Sequence, residues 1–341
     1  MSMGGHDPAA STAENYRAFA EEAAGRSPQY ERLSLGVARD AAILDFLAGL
    51  PRAKRQPNLL FASARYLLGV PASIESLRAV VAYRGRELAD VMASHRTQTN
   101  EPARCATLLP LLAMLPQPLA LIEVGASAGL TLLPDRYSYD FAGHRVAGTD
   151  PLGPVIACEP RGGVPLPDRV PSVAWRAGLD LNPLDVTSDD DMHWLECLTW
   201  PGETGRLARL HAAIATARRD PPAVYQGNLL TDVPSLARQA PADATLVIFH
   251  SAVLAYVSPS RRQEFASAVR ELGAVWISNE GPGVIPADGG SAAGDGGAGD
   301  RGAADASGAA SRYGKGCFEL IRDGHGLVAF TDGHGAWVHW L

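Results

Sequence analysis

The sequence predicts an α/β protein in which a helical N-terminal region precedes a mostly parallel sheet. Up to about residue 117, apolar residues recur at steps of three and four, a spacing typical of helices that bury one face. From Leu119 onward, short apolar runs alternate with helical segments, which predicts a parallel sheet covered on both faces. The last two strand-like runs flank Asp323-Gly324, a tight-turn dipeptide, so the last strand is expected to be antiparallel. We therefore divide the chain into a helical cap domain, residues 1–117, and an α/β domain, residues 118–341.

Helical segments account for the N-terminal region. The first apolar stripe consists of Tyr30, Leu33, Val37, Ala41, Leu44 and Leu47. The second consists of Ile74, Leu77, Val81, Leu88, Val91 and His95. Ser73 precedes this second stripe and is a residue type that caps helix N-termini. A further helix is predicted from Glu101 to Leu115, directly before the first strand.

Five apolar runs in the second domain are predicted as parallel strands. In chain order they are LALIEVG, SVAWRAGLDL, AVYQGNLL, ATLVIFHSAVL and AVWISNEG. Pro259 is expected to begin a helix between the last two runs. Together with the two closing strands, the five runs predict a seven-stranded sheet. Residues 134–171 are rich in Gly and Pro and predict at most a small hairpin, and residues 287–310 are predicted to be a disordered low-complexity insertion.

Composition excludes several classes of function. The chain is 46% hydrophobic and 20% charged with a net charge of −7, and it has no block of lysines, so neither nucleic acid nor an acidic membrane surface is expected as a partner. The four cysteines never form C-x-x-C, which favours reduced thiols in the cytoplasm over a metal site. No run approaches the roughly 18 apolar residues of a membrane span, and the N-terminus lacks a signal-peptide pattern.

The stretch LIEVGASAGLTLL reads as a strand, a small-residue turn and the start of a helix, and it fits two kinds of chemistry. In the first, Ser127 occupies a G-x-S-x-G pattern, the nucleophile elbow of serine hydrolases. His325 or His334 could then act as the base, with Asp243 or Glu280 as the acid. A helical region replaces the strands that should precede such an elbow, and no HGG oxyanion sequence comes before Ser127. The hydrolase is therefore kept as an alternative.

The second chemistry is a ligand-binding loop. Gly125 and Gly129 would let the backbone turn sharply after a strand and approach a ligand closely. The dinucleotide pattern G-x-G-x-x-G is absent. Glu123, two residues before the first glycine, would repel a pyrophosphate but suits a cationic ligand. This loop therefore predicts a site for a cation-bearing cofactor.

Three further polar residues, Asp180, Asn228 and His250, each lie at the end of a predicted strand. The carboxyl ends of parallel strands meet at one edge of a sheet, where open α/β sheets bind ligands. A carboxylate such as Asp180 can accept hydrogen bonds from both hydroxyls of a diol. These residues are therefore expected to share one site with the glycine loop.

This ordered set resembles the motifs of class I S-adenosylmethionine-dependent methyltransferases, whose cofactor carries an ammonium and a sulfonium. The resemblance implies a Rossmann-like methyltransferase sheet that binds S-adenosylmethionine, with Asp180 on the ribose and Asn228 near the adenine. The cofactor-binding residues that it implies are Glu123, Gly125, Ala126, Ser127, Gly129, Asp180, Leu181, Gly227, Asn228, His250 and Ser251. His250-Ser251-Ala252 replaces an N-P-P-[YF]-type motif, so His250 is expected either as a general base or as part of the site wall.

A narrower resemblance covers nearly the whole chain. RTQTNEPARC, IEVGASAGLTLLPDRY, GLDLNPLDV and the terminal HGAWVHW resemble a bacterial family catalogued only as a domain of unknown function and predicted to be methyltransferase-like. This resemblance implies a fold and a cofactor but no substrate. The segment 134–171 departs from the general methyltransferase pattern, and Pro134 limits the length of the helix expected after Gly129.

The polar run at residues 96–101 gives candidate substrate contacts. Arg96 could bind a carboxylate, and Thr99 and Asn100 are expected to lie over the cofactor site; the alternative is a loop that caps the next helix. Tyr256 is a further candidate. We expect a methyltransferase that acts on an unidentified small molecule. The alternatives are a non-catalytic protein that binds S-adenosylmethionine or a nucleotide on the same fold, and a serine hydrolase with Ser127 as nucleophile.

Overall fold

The computed structural model describes residues 8–285, 312–314 and 316–341, so the predicted insertion at 287–310 lies outside the described residues. The chain forms two units. One contains the residues up to Thr99 together with Asp189–Ala208, and the other contains Asn100–Ser188 and Arg209–Leu341. This division differs from the predicted boundary at 117/118, because the helix that precedes the first strand belongs to the second unit. In the described part of the chain, no helix has the length and apolar character needed to cross a membrane.

Helices and strands follow the predicted order. The helices are α1 (Pro8–Ala23), α2 (Pro28–Val37), α3 (Ala41–Ala48), α4 (Pro57–Leu68), α5 (Ile74–Ser94), α6 (Arg104–Ala113), α7 (Asp189–Leu198), α8 (Thr204–Arg219), α9 (Val233–Ala237) and α10 (Pro259–Glu271). The strands are β1 (Leu119–Val124), β2 (Ser138–Phe141), β3 (His144–Val146), β4 (Val155–Ala157), β5 (Glu159–Arg161), β6 (Val173–Asp180), β7 (Val224–Gln226), β8 (Thr245–Ser251), β9 (Val275–Glu280), β10 (Cys317–Arg322), β11 (Gly326–Asp332) and β12 (Trp337–Trp340).

The first unit is helical, as predicted for the N-terminal region. Between residues 8 and 117 the described chain contains no strand. Ser73 caps α5, since its Oγ accepts a hydrogen bond from the backbone N–H of Ser76 at 3.3 Å. The interior is aromatic: the ring of Phe61 lies 4.8 Å from that of Tyr30, and the ring of Phe19 lies 5.0 Å from that of Trp200.

The second unit is built on a mixed, mostly parallel sheet, which confirms the predicted α/β class. The described strands are ordered β5-β12-β11-β10-β9-β8-β1-β6-β7. The five predicted apolar runs form β1, β6, β7, β8 and β9, and every neighbouring pair among them is parallel. β10, β11 and β12 then follow as an antiparallel meander beside β9.

The sheet is larger than the predicted seven strands because residues 134–171 contain more structure than one hairpin. β2, β3 and β4 form a separate three-stranded sheet. β5 pairs with β12 and becomes an edge strand of the large sheet, which has nine strands among the described residues. The number of strands in this segment was underestimated, because strands of three or four residues are too short to show an alternating pattern and the segment is rich in Gly and Pro.

β1 lies at the centre of the parallel part, between β6 on one side and β8 on the other. All six of its residues are buried. Because the chain goes from β1 to β6 on one side and later returns to β8 on the other, the strand order reverses at this point. The crevice outside the carboxyl ends of strands at such a reversal is where open α/β sheets bind ligands.

The N-terminus of α6 is fixed to this same edge by a buried arginine. The guanidinium of Arg104 donates hydrogen bonds to the carbonyl oxygens of Ser251 and Gly333, each at 3.0 Å. Gly335, in the β11–β12 turn, has φ +82° and is packed so closely that a Cβ would overlap the carbonyl oxygen of Ala103. The turn and the helix therefore fit together only because residue 335 has no side chain.

Gly335→Ala should lower the free energy of unfolding more than Gly324→Ala. Both glycines have positive φ, so each alanine pays about 1–2 kcal/mol of backbone strain. A Cβ at Gly324 meets nothing within 4 Å, whereas one at Gly335 forces α6 away from the turn. We expect a further loss of about 1–3 kcal/mol for Gly335→Ala, measured by urea denaturation. Equal losses in the two variants would contradict the close packing.

Candidate functional site

The candidate site lies within the second unit, at the carboxyl edge of the parallel strands. The loop after β1 is central, and its neighbours are the ends of β6, β7, β8 and β9. These ends carry Asp180, Asn228, Ser251 and Glu280. The sequence-predicted residues Glu123, Asp180, Asn228 and Ser251 therefore occur along one edge.

The loop after β1 has a strained backbone that its neighbours hold in place. Gly125, Ser127 and Gly129 all have positive φ, at 74°, 52° and 74°. Positive φ is uncommon for a residue with a side chain such as Ser127 and concentrates at functional sites. A Cβ on Gly178 of β6 would lie 2.6 Å from Cβ of Ala126, so the loop packs directly on the bare backbone of β6.

The α-helix predicted after this loop is absent. Residues Leu130–Leu132 form one 3₁₀ turn, and the chain leaves helical geometry at Leu133. Pro134 explains the early end, because proline disfavours a helical conformation in the residue before it. The loop therefore lacks the helix N-terminus that would stabilise a phosphate.

Glu123 is a buried carboxyl group with an incomplete set of partners. Its side chain is 3% exposed; Oε1 accepts a short hydrogen bond from the Thr131 hydroxyl, and Oε2 accepts none from any described residue. Burial raises the pKa of Glu123 to about 8, against the lowering effects of Thr131 and Arg104. The group is therefore mainly protonated at neutral pH.

Asn100 binds the turn that carries Thr131, and Arg104, the first residue of α6, acts electrostatically on Glu123. Asn100 is buried; its Oδ1 accepts a hydrogen bond from the N–H of Leu130 at 2.7 Å, and its Nδ2 donates to the Thr131 hydroxyl at 3.3 Å. Asn100 thus supports the loop, in contrast to its predicted contact with substrate.

Arg104 was not predicted as a site residue. The available signal was a charged residue in the apolar run RCATLLPLLA, because buried charges require partners.

Asp180 connects the end of β6 to the loop. Its Oδ2 accepts a hydrogen bond from the N–H of Ser127 at 2.9 Å, and its Oδ1 accepts one from the N–H of Asn182 at 2.8 Å. Each carboxylate oxygen has a second lone pair, so a further donor can still bind. The next residue, Leu181, is 60% exposed and gives this edge an apolar surface.

Gly227 and Asn228 form the turn from β7 into α9. Asn228 Oδ1 accepts a hydrogen bond from the N–H of Leu230 at 2.9 Å, and the N–H of Asn228 donates to Asp232 Oδ2 at 2.7 Å. A Cβ on Gly227 would lie 2.7 Å from a methyl carbon of Leu179. This turn is therefore held by its own side chains and by close packing on β6.

His250 is part of the interior, which does not support its predicted role as a general base. The side chain is fully buried between Glu280 and Trp276. Trp276 Nε1 can only donate, so His250 Nε2 accepts that hydrogen bond at 3.0 Å, and His250 Nδ1 donates to Glu280 Oε1 at 2.7 Å. Both ring nitrogens are engaged, and neither is available to remove a proton from a substrate.

Glu280 holds the segment after β8 in place. Its carboxylate accepts hydrogen bonds from the N–H groups of Val253 and Leu254 as well as from His250. Burial alone would raise the pKa of Glu280, but these hydrogen bonds and the adjacent His250 outweigh burial and lower it. Ala252, at φ 60°, is thereby kept in a left-handed conformation.

Ser251 also belongs to this buried network. Its Oγ accepts a hydrogen bond from Asn279 Nδ2 at 3.1 Å, and its carbonyl oxygen accepts one from Arg104. Val253 extends from the next turn toward the loop, where a Cβ on Gly125 would overlap its methyl groups. The backbone of Gly125 is therefore covered on this side by Val253.

The serine hydrolase constellation is not assembled. Ser127 Oγ is buried and forms no hydrogen bond with any described residue, so no base lies within its reach. β10 runs antiparallel to β9, which places His325 in a turn at the opposite edge of the sheet. Asp243 precedes β8 and therefore also lies at that opposite edge. Glu280, the other candidate acid, is bound to His250 and to backbone N–H groups.

The remaining predicted substrate contacts are Arg96, Thr99 and Tyr256. Arg96 and Thr99 belong to the first unit, where the carbonyl oxygen of Arg96 accepts a hydrogen bond from Trp194 Nε1 at 2.9 Å. Tyr256 lies in a 3₁₀ turn after β8 and is 84% exposed.

Glu123→Gln should change how the stability of the protein depends on pH. Because the folded-state pKa of Glu123 is raised above its ordinary value of about 4.5, its contribution is fully present below pH 4.5 and is lost as pH rises toward 8. The loss approaches ~1.4 kcal/mol per pH unit within that window, and a glutamine cannot show it. In urea denaturation at pH 5.5, 6.5 and 7.5, the free energy of unfolding of the variant should rise relative to that of the wild type at each step.

Glu271→Gln, an exposed site on α10, is the matched control for the loss of a carboxyl group. A stability difference between Glu123→Gln and the wild type that stays constant across this pH range would contradict the raised pKa.

Comparison with known proteins gives a family for the chain. A family model described as "uncharacterized protein conserved in bacteria" (DUF2332) matches residues 13–340. No curated protein matches the chain. The chain belongs to this bacterial family, and the match covers both units.

Proposed function

We propose that this member of the DUF2332 family binds S-adenosylmethionine at the carboxyl edge of β1, β6, β7 and β8 and transfers its methyl group to a small molecule. The observation that carries the proposal is Glu123 Oε2, a buried carboxyl oxygen with no hydrogen-bond partner among the described residues. Glu123 lies near the end of β1, next to the loop with three positive φ angles and at the point where the strand order reverses. A cationic ligand at this edge would compensate the charge that this carboxyl group otherwise avoids.

The sheet order supports a Rossmann-like classification. Numbered in chain order, the parallel strands β1, β6, β7, β8 and β9 lie in the order 3-2-1-4-5, which is the order of that fold in its central part. Beyond β9 the chain departs from a purely parallel arrangement, since β10 pairs with β9 in the antiparallel sense. This mixed sheet is compatible with the proposed methyltransferase-like fold.

Asp180 and Leu181 fit the adenosyl half of such a cofactor. Each carboxylate oxygen of Asp180 already orients one backbone N–H and retains a lone pair for a hydroxyl donor, as a vicinal diol requires. The exposed Leu181 side chain offers an apolar surface to a base, next to the polar turn at Asn228. The absence of a helix N-terminus after the loop disfavours a pyrophosphate-bearing cofactor instead.

The chemistry assigns a limited task to the protein. S-adenosylmethionine supplies an electrophilic methyl group on a sulfonium, so the residues of the chain need to orient the two reactants and exclude water. His250 has no ring nitrogen free for proton transfer. The proposal therefore relies on positioning, with the rigid loop, Asp180 and the segment held by Glu280 as the positioning groups.

Calorimetric titration with S-adenosylmethionine tests the binding. The wild type should bind, and Asp180→Ala should bind at least tenfold more weakly, because one hydrogen bond to a charged group contributes about 1.5–3 kcal/mol and about 1.4 kcal/mol corresponds to a factor of ten. Asp323→Ala, which removes the same side chain from the β10–β11 turn at the opposite edge, should bind like the wild type. No binding by the wild type, or equal binding by Asp180→Ala, would contradict the proposed site.

A second candidate function is a non-catalytic S-adenosylmethionine-binding protein on the same fold. It is favoured by the engagement of both His250 nitrogens and by the side chain of Val253, which covers Gly125. Incubation with methyl-labelled S-adenosylmethionine and a deproteinised bacterial metabolite extract separates the two candidates. A methyltransferase should transfer label to a small molecule, and Asp180→Ala should reduce that transfer at least tenfold, in line with its weaker binding. Binding without any transfer of label would instead support the non-catalytic protein.

A further inference from the structure

The carboxyl group of Glu123 is buried and has a single hydrogen-bond donor among the described residues. On β6 its neighbour in register is Gly178, which has no side chain, and on β8 its neighbour is the apolar Phe249. The 3₁₀ turn contributes the Thr131 hydroxyl, its one hydrogen-bond donor. Neither oxygen forms an ion pair with a described residue. A carboxyl group in such surroundings is more stable with a proton than with a charge.

Two charged groups act on Glu123, and two further titratable groups interact with it electrostatically. Arg104 on α6 favours the charged carboxylate, and Asp180 at the end of β6 opposes it. Cys105 on α6 and Tyr137 before β2 are also coupled to Glu123, but burial raises the pKa of both well above the ordinary values. These two groups are therefore neutral below pH 8, and Glu123 is the group of this cluster that can exchange a proton near neutrality.

We infer that binding of the cationic cofactor at this edge is coupled to the release of one proton from Glu123 to solvent, so that the site exchanges a proton for a ligand cation. This inference rests on the proposed function and adds a property to it. A positive charge within about 4–6 Å favours the ionised carboxylate. The proton leaves to the buffer, and the ligand's positive charge compensates the carboxylate that remains.

The coupling fixes the direction of the pH dependence. The free protein holds the proton and the complex does not, so raising the pH favours the complex. Release of one proton makes affinity rise about tenfold per pH unit while Glu123 in the free protein remains protonated. The useful range is pH 5.5–7, because an α-amino group on the ligand, with a pKa of about 7.7, remains mostly charged there.

Titration calorimetry of the full chain with S-adenosylmethionine, at pH 6.5 in buffers of different ionisation enthalpy, counts the protons. The wild type should release about one proton for each ligand bound, and Glu123→Gln should release none. Between pH 5.5 and 7 the affinity of the wild type should rise about tenfold per pH unit, while that of Glu123→Gln should stay flat. Because glutamine resembles the protonated carboxyl group in shape and charge, the variant is expected to fold.

The outcomes separate this inference from the proposed function. Binding by the wild type without proton release, or equal release by Glu123→Gln, overturns the inference and leaves S-adenosylmethionine binding standing. Absence of binding by the wild type overturns both.

Discussion

The close approach of the β1 loop to the bare backbone of β6 is the constraint on which this edge of the sheet depends. Because Gly178 has no side chain, Ala126 packs against β6, and the N–H of Ser127 lies close enough to donate a hydrogen bond to Asp180. The same loop position lets the N–H of Leu130 bind Asn100 and the hydroxyl of Thr131 bind Glu123. A side chain at residue 178 would overlap Ala126, so it would push the loop away from β6 and strain these contacts.

Two buried glutamates, at the ends of β1 and β9 on either side of β8, show how hydrogen bonding decides the charge of a carboxyl group. Glu280 receives donors from His250, Val253 and Leu254, and its pKa is lowered although burial opposes this. Glu123 receives one donor, from Thr131, and burial raises its pKa to about 8. Equal burial therefore gives opposite results. Glu280 is suited to anchoring the backbone after β8, whereas Glu123 can respond to a charge that arrives with a ligand.

The parallel strands were predictable because strands buried on both faces appear as continuous apolar runs. The location of Asp180 at the end of β6 followed from the same pattern. The role of His250 was left open between general base and site wall, because a histidine after an apolar run can face either the crevice or the interior. Only the tertiary contacts with Glu280 and Trp276 show that it faces the interior. Arg104 was missed for the related reason that its acceptors, the carbonyl oxygens of Ser251 and Gly333, are distant in sequence.

The replacement of a helix by a 3₁₀ turn after the loop affects which ligands the edge can hold. A helix N-terminus would offer several N–H groups and a positive dipole end to an anion. Here Leu130–Leu132 form a single turn, and the N–H of Leu130 is already bound to Asn100. Beside the loop, the carboxyl oxygen Glu123 Oε2 is buried without a hydrogen-bond partner among the described residues. The absence of a helix N-terminus therefore disfavours a phosphate, and under the proposed function the buried carboxyl group of Glu123 is the group that would compensate a cation.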